Sequence, residues 1–169
     1  NEYFPPERDF LNRGIAGQIT GQLLGRMKAD VIDLKPAAVV VQASLNDIAR
    51  GVSPQAARDA LAMIGQLAEA NKIVPVFSSM LPVSDYHKGE DPSYARTLTR
   101  PPAAIVEMNA WLRKFCQERK YVYIDYYSRL VDAAGYFQAE LSDDGLHPNS
   151  RGYRLMAPLA LEAIDKVLH

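Results

Sequence analysis

The 169-residue sequence predicts an α/β fold, a parallel sheet sandwiched between helices. Three observations carry that reading. Strand-like runs alternate with amphipathic helical repeats along the whole chain. The clearest strand runs are continuous and rich in β-branched residues, as in strands covered on both faces. No linker, internal repeat or low-complexity stretch divides the chain, so one domain carries the alternation.

Taken in order, residues 9–13 (DFLNR) are short and read as an edge or inner strand. Ile19, Leu23, Met27 and Val31 follow at four-residue steps, giving an amphipathic helix that Pro36 ends. Residues 37–43 (AAVVVQA) read as a fully buried strand. After a loop, Ser53 caps and Pro54 starts a helix through Asn71, with Leu61, Ile64 and Leu67 facing inward. Residues 72–79 (KIVPVFSS) form the next buried strand. A long polar loop over 80–100 has the length of a lid or a pocket wall. Pro101 and Pro102 open a third helix, with Ile105, Met108, Leu112 and Phe115 on one face. Residues 121–127 (YVYIDYY) are the last strand, and a helix over 153–168 places Tyr153, Met156, Leu159, Ile164 and Val167 on its apolar face.

Composition removes several functions. Hydrophobic residues at 48% and charged residues at 23% fit a soluble globular domain, and the length supports a sizeable core. The net charge of -1, with no basic stripe interleaved with aromatics, argues against nucleic acid as a partner. No apolar run reaches the roughly 18 residues of a membrane span. The single cysteine, Cys116, excludes an internal disulfide and reads as a buried, inert thiol. The first ten residues show no charged-then-apolar leader, and compartment is not legible from that end.

In α/β sheets of this kind ligands gather at the carboxyl ends of the strands. The glycine-bearing turn NRGIAGQ follows the first run, Asn46 and Asp47 the second, and Ser78 and Ser79 the third. Asp125 and then the loop DDGLHPNSRGY follow the last. In that loop Asp144 stands three residues before His147, a spacing that suits a carboxylate orienting an imidazole. A backbone donor, an amide and an acid–histidine pair on one rim form half of an acyl-transfer site. Singly, each piece has an ordinary structural role: a cap, a turn residue or a surface ion pair. His87 reads as a solvated loop residue, and His169 is terminal.

Four stretches, NRGIAGQIT, DVIDLKPAAVVVQASLNDIA, SSMLPVSDY and LSDDGLHPNSRGYRLMAPL, resemble the GDSL-type esterases, the SGNH hydrolase superfamily, in register through essentially the whole chain. The resemblance implies a flavodoxin-like three-layer α/β/α sandwich that cleaves small acyl esters through an acyl-enzyme, with neither metal nor cofactor. Carried over, Gly17 would donate its backbone N–H and Asn46 its side-chain amide to an oxyanion hole. His147 would be general base and then acid, and Asp144 would orient it. Asp143 does not match the motif. Ser44, Val83 and Tyr86 are the expected pocket residues, and the 80–100 loop the expected source of ester preference.

Two departures follow from the same resemblance. The family's Gly-Asp-Ser, whose serine is the nucleophile, does not occur in residues 1–169. In the family it ends a strand that precedes the NRGIAGQ turn and lies between the strands that here read DFLNR and AAVVVQA. An empty slot there would leave rows of unpaired backbone groups at about 1–3 kcal/mol each, against a native stability of about 5–15 kcal/mol. The expectation is therefore a first core strand that is missing or replaced: by upstream chain, by DFLNR moving across, or by a partner in a strand-exchanged homodimer. A binding module without the chemistry is the rival, and Ser44 is a substitute nucleophile to be tested. The second departure is SLND where the family reads GTND, which puts Ser44 in place of a glycine. A phosphate-binding reading is weaker, because GIAGQITG lacks the lysine and spacing of a P-loop.

Overall fold

The computed structural model describes residues 9–168. In chain order the elements are α1 (Thr20–Asp30), β1 (Ala38–Val41), α2 (Leu45–Ala49), α3 (Pro54–Ala70), β2 (Val74–Ser78), α4 (Pro102–Arg119), β3 (Val122–Ile124), α5 (Tyr127–Leu130) and α6 (Ser150–Leu168), with short 3-10 turns between some of them. The strands form one parallel sheet in the order β1-β2-β3, with Val41 opposite Phe77 and Ser78 opposite Ile124.

Strand β2 shows why the sheet has helices on both faces. Successive side chains point to opposite sides. Val76 packs with Ile124, Met156, Ala160 and Ala163 in a cluster that includes α6. Its neighbour Phe77 packs with Met27, Leu61, Ile64, Leu112 and Cys116, from α1, α3 and α4. The result is three layers: α6, sheet, then α1, α3 and α4. This is the α/β/α arrangement that the resemblance implies.

Local chemistry sets the helix ends. Ser53 Oγ accepts from Ala56 N at 3.1 Å, and Pro54 occupies the first turn of α3, where a missing N–H costs nothing. Helix α1 stops at Asp30, before Pro36. The chain tightens into a 3-10 turn at Ile32–Leu34 and leaves through Lys35 at φ +49°, since the residue before a proline avoids the helical region. Helix α6 begins three residues earlier than the apolar periodicity indicates. Asn149 Oδ1 accepts from Arg151 N at 3.0 Å and Gly152 N at 3.2 Å, and so caps it. Tyr153, expected on the apolar face, is exposed.

The first strand differs from expectation. Residues 9–13 are irregular and do not fill a place in the sheet. Leu11 is 71% exposed. Arg13 forms an ion pair with Asp30, and its carbonyl accepts from Arg26 Nη1 at 2.6 Å. The segment is therefore tied along α1 instead of along a strand. Residues 1–8, which hold EYF, lie outside the described residues. Among the described residues β1 is an edge strand, so the burial expected for residues 37–43 is incomplete and Val40 is 44% exposed. Strand β2, with a neighbour on each side, is buried from Pro75 onward. No helix among the described residues is long and apolar enough to cross a membrane.

Candidate active site

The loop Ser142–Asn149 is built around one carboxylate. Asp144 Oδ1 accepts from His147 N at 2.8 Å and Leu146 N at 2.9 Å, so it closes the turn on itself. Oδ2 lies 2.7 Å from His147 Nδ1. Burial alone would raise the Asp144 pKa; the hydrogen bonds from the His147 backbone and ring and from Leu146 outweigh it and hold the carboxyl down at about 2. An ionised carboxylate has no proton to give, so Nδ1 carries the hydrogen and Nε2 is left as the proton acceptor. The His147 side chain is 74% exposed, and no described residue occupies Nε2.

Two further contacts fix this loop, and neither was legible as a site signal. Gly145 has φ +71°, and a Cβ there would sit 2.2 Å from Ser84 O. Only glycine fits both the conformation and the space. Gly145 O in return accepts from Ser84 N at 2.9 Å, which joins the acid–histidine loop to the start of the 80–100 loop. Arg96, from that same loop, donates from Nε to Asp144 O at 3.0 Å and places Nη2 3.3 Å from Oδ2. Asp143, by contrast, accepts from Asn149 Nδ2 at 2.9 Å and serves the cap of α6.

The second corner joins the ends of two other segments. Gly17 adopts φ +78°, is exposed, and its N–H meets no acceptor among the described residues. Asn46 Nδ2 donates one hydrogen to Gln18 O at 3.2 Å, which leaves the second free. Its Oδ1 lies 3.5 Å from Arg100 Nη2, which sets the amide orientation. Beneath them buried Asp47 accepts from Thr20 N at 3.1 Å and Thr20 Oγ1 at 2.6 Å and pins the Gly17 turn to α2. The two corners meet through the arginines: Arg96 holds Asp144, Arg100 holds Asn46, and Arg100 N donates to Arg96 O at 3.1 Å.

The remaining candidates make no contact with His147 among the described residues. Ser44 is 2% exposed at φ +82°, and its Oγ has no partner, so it is not hydrogen-bonded to His147. The positive φ supplies a backbone reason for the family's glycine at this position. Ser78 Oγ is likewise buried and unpartnered, while Ser79 Oγ accepts from Tyr127 N at 2.8 Å. Val83 is 1% exposed and packs with Met80, Ile105 and Met108 in the core. Tyr86 is half exposed, donates to Asp132 Oδ2 at 2.6 Å and meets Tyr136 edge-on. Asp125 accepts from Ser128 N and Oγ and pairs with Arg113, a structural task. His87 is partly exposed but has partners: Nδ1 lies 3.2 Å from Glu90 and Nε2 3.3 Å from Ala139 O. Cys116 is buried in the core, and burial pushes its thiol pKa up to about 12, as befits an inert thiol. A cavity of about 410 Å³ lined by Ile32, Lys35, Asn71 and Ile73 lies by the amino ends of β1 and β2, away from His147.

The fold has counterparts among solved structures. A candidate acylhydrolase from Bacteroides fragilis is 35% identical, with a TM-score of 0.83, over 93% of this chain and 74% of its own. A GDSL-like lipase from Bacteroides thetaiotaomicron is 32% identical, with a TM-score of 0.82, over 91% and 74%. An acetyl-xylooligosaccharide esterase variant from Geobacillus, at 19% identity and a TM-score of 0.74 over 91% and 71%, shares the fold. No curated protein sequence matches the chain. The family model for GDSL-like lipases and acylhydrolases matches residues 2–155. The chain therefore belongs to the GDSL-like lipase/acylhydrolase family, whose members are hydrolases acting on esters.

Proposed function

We propose that this protein hydrolyses small acyl esters through an acyl-enzyme, with His147 as general base and then acid and Asp144 holding its tautomer. The observation that carries the reading is the 2.7 Å contact between His147 Nδ1 and Asp144 Oδ2, beside a free Nε2. Gly17 N–H and the spare hydrogen of Asn46 Nδ2 receive the oxyanion. Such fixed donors act on charge that develops only in the transition state. A serine hydroxyl gives its proton to Nε2 as its oxygen attacks the ester carbonyl. The imidazolium then protonates the leaving alcohol, and water repeats the cycle on the acyl-enzyme. Among the described residues none of the strand-end serines is hydrogen-bonded to His147: Ser44 and Ser78 are buried with unpartnered hydroxyls, and Ser79 is bonded to Tyr127.

The lack of a Gly-Asp-Ser motif within residues 1–169 favours a second reading, a module that keeps the pocket and binds without chemistry, although such a module has no evident need for an acid-oriented histidine. Labelling with a serine-directed fluorophosphonate, followed by sequencing of the labelled peptide, separates the two. A hydrolase gives one labelled serine, and His147→Ala slows the labelling at least about a hundredfold. No label, or labelling indifferent to His147, supports the binding module.

A further inference from the structure

Among the described residues three guanidinium groups stand around the two corners of the site, and only Arg96 has a carboxylate partner. Arg96 is occupied by Asp144. Arg100 is partly buried, and its contacts are neutral: Asn46 Oδ1 at 3.5 Å and Thr99 Oγ1 at 3.1 Å. Its Nε is buried with no partner. Burial and the nearby charge of Arg96 both act against its cationic form. Arg50, at the end of α2, places Nη2 3.4 Å from the position a Gly17 Cβ would take. Neither Arg50 nor Arg100 forms an ion pair among the described residues. The adjacent carboxylates are committed, Asp144 to His147 and Arg96, and Asp47 to Thr20.

Keeping Arg100 Nε buried without a partner is costly, whereas exposed Arg50 is open to a ligand from solvent. The cost is recovered when an anion arrives, because a carboxylate takes two parallel N–H bonds from a guanidinium. Arg100 touches the side chain assigned to the oxyanion hole, and Arg50 flanks the backbone donor. An anion on this rim therefore lies within a few bonds of the scissile carbonyl.

We infer that Arg100 and Arg50 form an anion-recognising rim, and that the preferred substrate is an acyl ester whose alcohol part carries a carboxylate close to the ester oxygen. The inference rests on the ester-hydrolase reading for its chemistry, not for its binding. A matched pair tests it: acetoxyacetate, which is anionic, and acetoxyacetamide, its neutral isostere. The protein should favour the anion in kcat/KM by at least about tenfold, the worth of one good charged hydrogen bond. Arg100→Gln combined with Arg50→Gln should bring the ratio close to one, and Arg100→Lys, which keeps the charge but not the paired N–H bonds, should keep only part of it. If both esters decline together and the ratio holds, Arg100 merely positions Asn46 and the inference is overturned. A wild-type ratio of one or below overturns it as well. Calorimetric binding of N-acetylglycine against N-acetylglycinamide, which need no turnover, separates the two readings. Arginine-dependent binding of the acid alone, without ester hydrolysis, upholds the rim and removes the hydrolase. Equal binding of both overturns the rim whatever the activity.

Discussion

Two positions at the site share left-handed backbone and resolve it in opposite ways. Gly145, in the acid–histidine loop, has φ +71° and presses its missing Cβ against Ser84 O. Ser44, between β1 and α2, has φ +82° and keeps a side chain whose hydroxyl is buried without a partner. The first loop is locked: Asp144 alone receives backbone donors, the His147 ring and Arg96. The second corner carries strain, and its polar groups keep spare capacity at Gly17 N–H, Asn46 Nδ2 and Arg100. The difference fits the two tasks proposed for these corners. A base must be held in one tautomer before substrate arrives, whereas donors must stay unoccupied until the oxyanion forms.

Several substitutions sharpen or break this contrast. Asn46→Ala should lower kcat/KM for acetate esters about 10²- to 10³-fold, the usual worth of one oxyanion donor, with the melting profile retained. An unchanged rate would remove Asn46 from the site. Gly145→Ala should cost about 3 kcal/mol or more in urea unfolding, since the left-handed strain adds to a backbone overlap. Acid should act on the locked loop specifically. The Asp144 pKa is lowered from 3.8 to about 2, so its contribution is complete above 3.8 and is lost as pH falls from 3.8 toward 2. That contribution is about 2 kcal/mol, and Asp144→Asn should lack this part of the pH dependence of unfolding. Ser44→Gly should do the reverse of Gly145→Ala and raise stability by about 1 kcal/mol, through relief of left-handed strain and removal of an orphan hydroxyl. A loss instead would show that the Ser44 side chain is supported.

The core helices and strands were legible because their signals are periodic and local. Leu61, Ile64, Met108 and Leu112 repeat at helical spacing, and β-branched runs mark β1 and β2. The DFLNR segment misled because five residues carry no period, and the ties of Arg13 to α1 decide its path. The start of α6 was available in PNS but lay outside the apolar pattern. At the site, His147, Asp144, Asn46 and Gly17 were visible as residue types at strand ends. Arg96 and Arg100 were not, and Asp47 was visible at its strand end without its tie to Thr20, because these roles depend on contacts 27 to 54 residues away in sequence. The pocket assignment for Val83 and Tyr86 came from loop position alone, and burial or pairing with Asp132 is not readable from position.

The most direct test of the central claim, that the acid–histidine loop drives ester cleavage, is the turnover of 4-nitrophenyl acetate by the protein and by His147→Ala at matched fold content. The account predicts hydrolysis by the former and a fall of about 10³-fold or more in the latter. Equal turnover by both proteins would contradict it.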